Sequence, residues 1–224
     1  MCGRFAITLP SDAMAQLFAA SPANDLPEVP NYNVCPTDAV HVVYGGADQA
    51  RQLGAMRWGF IPNWYKAPNA GPLLINARSE TIADKPAFKA AARARRCLIP
   101  VSGFYEWTKT PEDARDPWYI TRTDSAPMAM AGVWQDWTDL EGQASKTCAI
   151  VTTRANEPMS AIHHRMPVII EPKDWGLWLG ETGHGAATLM HAAPDDALQW
   201  YRVDRKVNSN RTSGAELILP IVIP

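Results

Sequence analysis

Short apolar stretches alternating with polar residues, and punctuated by Gly and Pro, run along most of the chain. Residues 4–9 set Phe5 and Ile7 against shorter or polar neighbours, which is a strand pattern. Ser11 and Asp12 precede a helix-period segment to Ala20 whose Met14, Leu17 and Phe18 share a face, so a short capped helix is expected there. Strands are expected over 40–44, with Gly45 and Gly46 as the turn, and over 52–60 and 73–76. Residues 79–96 have helix-forming composition interrupted only by Pro86. A strand or hairpin around Gly103 over 97–107 is followed by strands over 118–123, 128–137 and 147–153. A brief helix over 156–162, a strand over 166–170, a helix over 172–179 begun by Pro172, a small helix over 195–198 and a strand over 200–207 complete the pattern. Without repeats, low-complexity tracts or linkers, residues 1–224 read as one α+β domain. Its expected architecture is a curled or barrel-like, mostly antiparallel sheet with short peripheral helices.

Composition narrows the class. No apolar run is long enough to span a bilayer and no signal peptide is evident, so a cytoplasmic protein with no membrane partner is expected. Cys2, Cys35, Cys97 and Cys148 lie far apart with no C-x-x-C pair, which speaks against a zinc ribbon or a disulfide framework. A formal charge of −2 argues against a generally basic nucleic-acid coat but leaves room for an arginine-lined groove. Nine Trp add surfaces on which rings can stack, and nineteen Pro leave little room for long helices.

Chemistry concentrates in a few stretches. Cys2 directly follows Met1, so removal of Met1 would leave one residue carrying both a free α-amine and a thiol. Such a 1,2-aminothiol condenses with an aldehyde and closes a five-membered thiazolidine; with ordinary pKa values of about 7.7–8.0 and about 8.5, both nucleophiles are available near neutral pH. The alternative is that position 2 merely tolerates a small residue. Asn76 and Arg78 fall on one strand face, an amide and a guanidinium suited to a sugar and a phosphate, although Arg78 and Glu80 could equally be a surface pair. Glu106 sits among Phe104, Tyr105 and Trp107, where burial would raise its pKa and suit it to proton transfer; a solvent-facing carboxylate is the other reading. His163 and His164 lack metal-ligand spacing, so proton transfer is the more natural role and no metal is expected. Arg93, Arg95 and Arg96 read either as a phosphate patch or as a solvated helix end favoured by the dipole.

Several blocks, taken in order, resemble the SOS response-associated peptidase (SRAP) family. They are residues 1–5, 32–36, Trp58-Gly59 through Pro62 and Trp64, 76–80, 97–107, 163–167, and the ending at Val207-Asn208 and 214–218. The resemblance implies a protein that recognises abasic sites in single-stranded DNA, needs no cofactor, and crosslinks to them through the processed Cys2. It implies Cys2 as nucleophile, Asn76 holding the amine and the opened sugar, Glu106 handling protons, and His163 assisting Schiff-base formation and ring opening. Arg4, Arg78 and Arg165 match phosphate-contacting positions, while Pro36, Trp64, Tyr65 and Trp107 match the surface against which flanking bases rest. Tyr65 stands where the family can also have Trp. Such a protein would act as a monomer and associate with the nucleoid on damaged DNA; no replication-fork partner can be named from the residues.

An aldehyde is the electrophile a 1,2-aminothiol wants, and an abasic deoxyribose supplies one in its open-chain form. An imine that escaped ring closure would allow β-elimination, so an AP-lyase side activity is expected. Two rival readings stand beside this one. In the first, Cys2, Glu106 and His163 form a self-processing or general peptidase; in the second, the protein reads modified bases without covalent chemistry.

Overall fold

The computed structural model describes residues 2–46, 50–111 and 114–221. Met1, whose removal the aminothiol chemistry requires, lies outside the described residues, as does the continuation of the turn expected at Gly45-Gly46. In chain order the first elements are β1 (Phe5–Ile7), α1 (Ser11–Phe18), β2 (Ser21–Pro22), β3 (Asn31–Val34), β4 (Ala39–Gly45), β5 (Arg51–Trp58), β6 (Asn76–Arg78) and α2 (Pro86–Ala94). They are followed by β7 (Arg96–Val101), β8 (Gly103–Lys109), β9 (Arg115–Arg122), β10 (Met128–Thr138) and β11 (Ala144–Arg154). The last are α3 (Glu157–Ser160), β12 (Arg165–Pro167), α4 (Trp175–Leu179) and β13 (Leu198–Arg202).

Two sheets share the core. One is 5-stranded in the order β13-β9-β8-β1-β3; the other is 8-stranded, in the order β12-β11-β10-β7-β4-β5-β2 with β6 paired to β11 beside that path. A parallel pairing of Arg57-Trp58 with Thr147-Cys148 joins β5 back to β11, so β4, β5, β11, β10 and β7 close into a ring. Closure removes the exposed edges that an open sheet of these strands would present. The expected α+β, barrel-like and mostly antiparallel architecture with short peripheral helices is what forms.

The differences from the sequence expectation have local causes. Residues 97–107 are not a hairpin: β7 pairs with β4 and β10, while β8 pairs with β1 and β9, so the chain changes sheets at Ser102. Gly103 is needed there because a Cβ would collide with the Tyr119 ring. Pro86 begins α2 instead of interrupting a longer helix, as its fixed φ and missing N–H favour. Arg96 donates to the carbonyls of Ala92, Arg93 and Trp178, and Arg95 to that of Trp134, so two of the three arginines cap and brace this helix end. Ser11 does not cap α1; its hydroxyl lies 3.2 Å from His41 Nε2, and Leu17 is 44% exposed while Met14 and Phe18 are buried. Burying those two side chains contributes about 1.5–3 kcal/mol each. The strand expected at 73–76 begins only at Asn76, and the helix expected at 195–198 is a turn leading into β13.

His41, on β4, gives a first prediction. It is 2% exposed, and burial pushes its imidazole down to about 4. Between that value and the ordinary 6.5 the unfolded chain binds a proton that the folded one refuses. Stability is therefore lost as pH falls through this window, by an amount on the order of 2 kcal/mol. Urea unfolding at pH 7.5 and pH 5 should show a smaller loss in His41→Gln than in the wild type; equal losses would refute it.

Candidate active site

The first residues of the chain are held by β-pairing, although they precede β1. Phe5 and Ala6 lie opposite Phe104 and Gly103, and the Tyr105 amide donates to the Arg4 carbonyl at 2.9 Å. Continuing that register sets Gly3 opposite Glu106. Because β1 runs between β3 and β8, all of Phe5-Ala6-Ile7 is buried, which fixes the direction in which residues 2–4 leave the sheet. Cys2 has no exposed surface, and Glu106 is 3% exposed.

β11 brings the other reactive side chains to this point. One of its edges carries β10 and then, at Thr152–Arg154, β12; the other carries β5 and then β6, with Asn76 opposite Ile150 and Arg78 opposite Thr152. Asn76 Nδ2 donates to the Cys2 carbonyl at 2.8 Å, while its Oδ1 is buried and has no hydrogen-bond partner among the described residues. On the opposite edge, α3 is capped by Asn156, whose side chain accepts from the Met159 amide, and the short turn after it delivers His163 just before β12. His163 Nδ1 lies 3.9 Å from Glu106 Oε1. The same nitrogen is 3.0 Å from the Arg165 amide and 3.1 Å from its carbonyl. The neutral ring either accepts the Arg165 N–H at Nδ1 or donates from Nδ1 to the Arg165 carbonyl, according to its tautomer.

Burial dominates the electrostatics. It pushes the Glu106 carboxyl up and the His163 imidazole down, with the charges of the chain's α-amino group and of Arg165 adding to the latter. It also pushes the Cys2 thiol well above the usual thiol range, and the Glu106 carboxylate reinforces this. Gly3, Arg4, Glu106, Trp107 and His163 line one cleft of about 980 Å³. Trp64, Asn76 and Arg78 line another of about 570 Å³, so the Cys2–Asn76 contact lies between the two. Cys2, Asn76, Glu106 and His163 are therefore brought to one place from four separate stretches of sequence.

The residues expected along a nucleic-acid path are differently disposed. Arg78 is exposed, and Trp64 is 59% exposed with Tyr65 edge-on beside it at 6.3 Å. Trp107 is half-buried and donates to Asn208 Oδ1 at 2.6 Å; Pro36 is half-buried in a separate polar cleft with Asn33 and Cys35. Arg4 donates to Asn33 Oδ1 at 2.6 Å and to the Val207 carbonyl at 3.0 Å. Arg165 is 7% exposed, with its guanidinium bonded to both Glu80 oxygens at 2.7 and 3.0 Å and to the Thr152 carbonyl at 2.7 Å. Glu80 thus pairs with Arg165 and not with Arg78. Sequence reasoning also missed Asn208 and Arg115, which line the larger cleft, and Asn33, which holds Arg4 from the neighbouring one. Alternation along the strands after Glu106 would have pointed to the hairpin, but nothing local ties Asn208 to it. Among the described residues, no group of three His, Cys, Asp or Glu is disposed to hold a metal ion.

Relatives give the arrangement its family. Residues 1–210 match the family described as SOS response associated peptidase (SRAP). The chain is 35% identical over 224 residues to the abasic site processing protein YoqW of Bacillus subtilis, covering 97% of this chain and 99% of that one. It is 32% identical over 230 residues to the abasic site processing protein YedK of Escherichia coli, covering 99% and 100%. A crystal structure of a Bacteroides thetaiotaomicron protein superposes with a TM-score of 0.86 at 22% identity, over 99% of this chain and 100% of that one. With the fold shared and the family match running through nearly the whole sequence, the chain belongs to the SOS response associated peptidase (SRAP) family.

Proposed function

We propose that this protein processes abasic sites in single-stranded DNA and, once Met1 is removed, joins itself to them through Cys2. The observation that carries the reading is the convergence of Asn76, Glu106 and His163 on Cys2 at the junction of two clefts. The names of the relatives supply the substrate, and the buried residues supply a chemistry suited to it. The α-amine of Cys2 adds to C1′ of the open-chain sugar to give a carbinolamine. Proton donation by Glu106 or His163 expels water and leaves an imine. Cys2 Sγ then bonds to C1′, its proton passes to nitrogen, and the thiazolidine closes with one water released overall.

The order of these steps follows from the electrostatics. With burial and Glu106 holding the thiol in its protonated form, the amine attacks first and the thiol closes the ring once a neighbouring base accepts its proton. Asn76 Oδ1, buried and without a partner among the described residues, suits an amine N–H, while Nδ2 holds the Cys2 carbonyl. Arg78 and Arg4 serve as phosphate contacts, and Trp64, Tyr65, Trp107 and Pro36 as surfaces for flanking bases, each stacked base contributing about 1–3 kcal/mol. An imine left unclosed loses a C2′ proton and the 3′ phosphate, which is the AP-lyase side reaction. The protein acts as a monomer in this scheme, since every reactive group comes from one chain.

The test mixes the purified protein, shown by intact mass to begin at Cys2, with single-stranded DNA bearing one abasic site and resolves the products on a denaturing gel. A shifted band whose mass equals protein plus DNA minus one water is expected. Absence of that band with processed wild type sinks the proposal, and cleavage of peptides by a protein that leaves the DNA unmodified establishes the peptidase reading instead.

A further inference from the structure

Glu80 has no role in the chemistry above, yet it makes the best-formed ion pair around the site. Its two oxygens take parallel hydrogen bonds from the Arg165 guanidinium, a fork geometry that fixes orientation as well as charge. The Arg165 pairing holds the Glu80 carboxyl below its ordinary range. The same guanidinium also donates to the Thr152 carbonyl and hydroxyl, and the Ser79 amide donates to that carbonyl at 2.8 Å. The segment after β6, strand β11 and the start of β12 are therefore tied at one point. The other end of Arg165 is its peptide group, and this is what His163 Nδ1 meets on both sides, amide at 3.0 Å and carbonyl at 3.1 Å.

We infer that Glu80 is a positioning residue for His163: by clamping the Arg165 side chain it fixes the Arg165 backbone amide and carbonyl that hold the imidazole in orientation. The inference rests on the function proposed above for its kinetic consequence, though not for its structural one. The consequence is that Arg165 works here as a brace, its guanidinium engaged by Glu80 and Thr152. The charged groups around His163 include Glu106 at 3.9 Å, the α-amino group of the chain, the stacked His164 with ring centres 4.3 Å apart, and Arg165 itself. Removing the Glu80 charge leaves that of Arg165 unbalanced, so the imidazolium is harder to form.

The test has two arms, using the processed full chain with Glu80→Ala, Glu80→Gln and His163→Ala. In the first, nitrogen chemical shifts of His163 report tautomer and titration without any substrate. The wild type is expected in one predominant tautomer; Glu80→Ala should mix the tautomers and lower the titration midpoint, and Glu80→Gln, uncharged but still accepting one bond, should lower the midpoint as far while mixing the tautomers less. An unchanged tautomer and midpoint in Glu80→Ala overturn the inference. In the second, Glu80→Ala should slow adduct formation by about tenfold to a hundredfold, as a misplaced catalytic group does, but should slow nothing further once His163 is Ala. An equal slowing in the His163→Ala background would show a merely structural role. Tighter DNA binding with a steeper salt dependence in Glu80→Ala would show that Glu80 competes with phosphate for Arg165, and would also overturn the inference. If the wild type forms no adduct, the proposed function fails while the first arm still decides the clamp.

Discussion

Replacing Cys2 by Ser in the processed protein should abolish the denaturant-resistant adduct while strand cleavage at the abasic site persists or rises. The amine survives the substitution, so the imine still forms. The hydroxyl is a far poorer nucleophile than sulfur, and the five-membered ring that would trap C1′ does not hold. The trapped fraction should fall by about a hundredfold or more, within the span that loss of a covalent nucleophile produces. Borohydride added during the reaction should recover the imine as a stable amine-linked product. Denaturing gels with and without borohydride make the comparison. Undiminished adduct in Cys2→Ser without borohydride would refute the assignment of the sulfur.

The second large effect is expected at Glu106. Substitution by Gln preserves its shape among Cys2, Gly3 and His163 but removes both the acid and the base form. Adduct formation should slow by about 10²–10³-fold, as for loss of a placed general acid or base. Burial holds this carboxyl above its ordinary range, so it stays protonated further toward neutral pH and loses its proton as pH rises through the raised value. The wild-type rate should carry that ionisation in its pH profile, and Glu106→Gln should lack it. The sign for stability is opposite to that of a paired carboxylate: with the folded value raised, the ionised group costs stability at neutral pH, and the cost disappears at lower pH. Glu106→Gln should therefore unfold at or above the wild-type temperature near pH 7.5. A slow variant that is also less stable would mean the loss came from disrupted packing.

Much of the site was legible because the chemistry is carried by residue types that strands rarely need. A carboxylate amid Phe104, Tyr105 and Trp107, an Asn-x-Arg on one face, and a Cys behind Met1 stand out against short apolar alternation. The barrel-like character was readable from the rhythm of short strands. Ring closure was not, because it depends on a two-residue parallel pairing between β5 and β11 that leaves no periodic trace. Neither was the jump between sheets at Ser102, where continuous apolar residues read as a hairpin. The Glu80–Arg165 pair lay beyond local reasoning for the same cause. Glu80 has a nearer cation in Arg78, and only the pairing of β11 with both β6 and β12 brings the distant one into reach.

The seat of Cys2 also constrains when the protein can mature. Cys2, on one side of the bond that must be cut, has no exposed surface once its sheet is complete. The strand that leads from it lies between β3 and β8, and β8 begins only at Gly103. At about 5–20 residues per second, synthesis leaves the start of the chain without that partner for roughly 5–20 s. Removal of Met1 within this interval would need no later opening of the sheet. Were removal delayed past that point, an exopeptidase would have to draw Cys2 from its seat before cutting, so the pairing of β1 with β8 would compete with maturation.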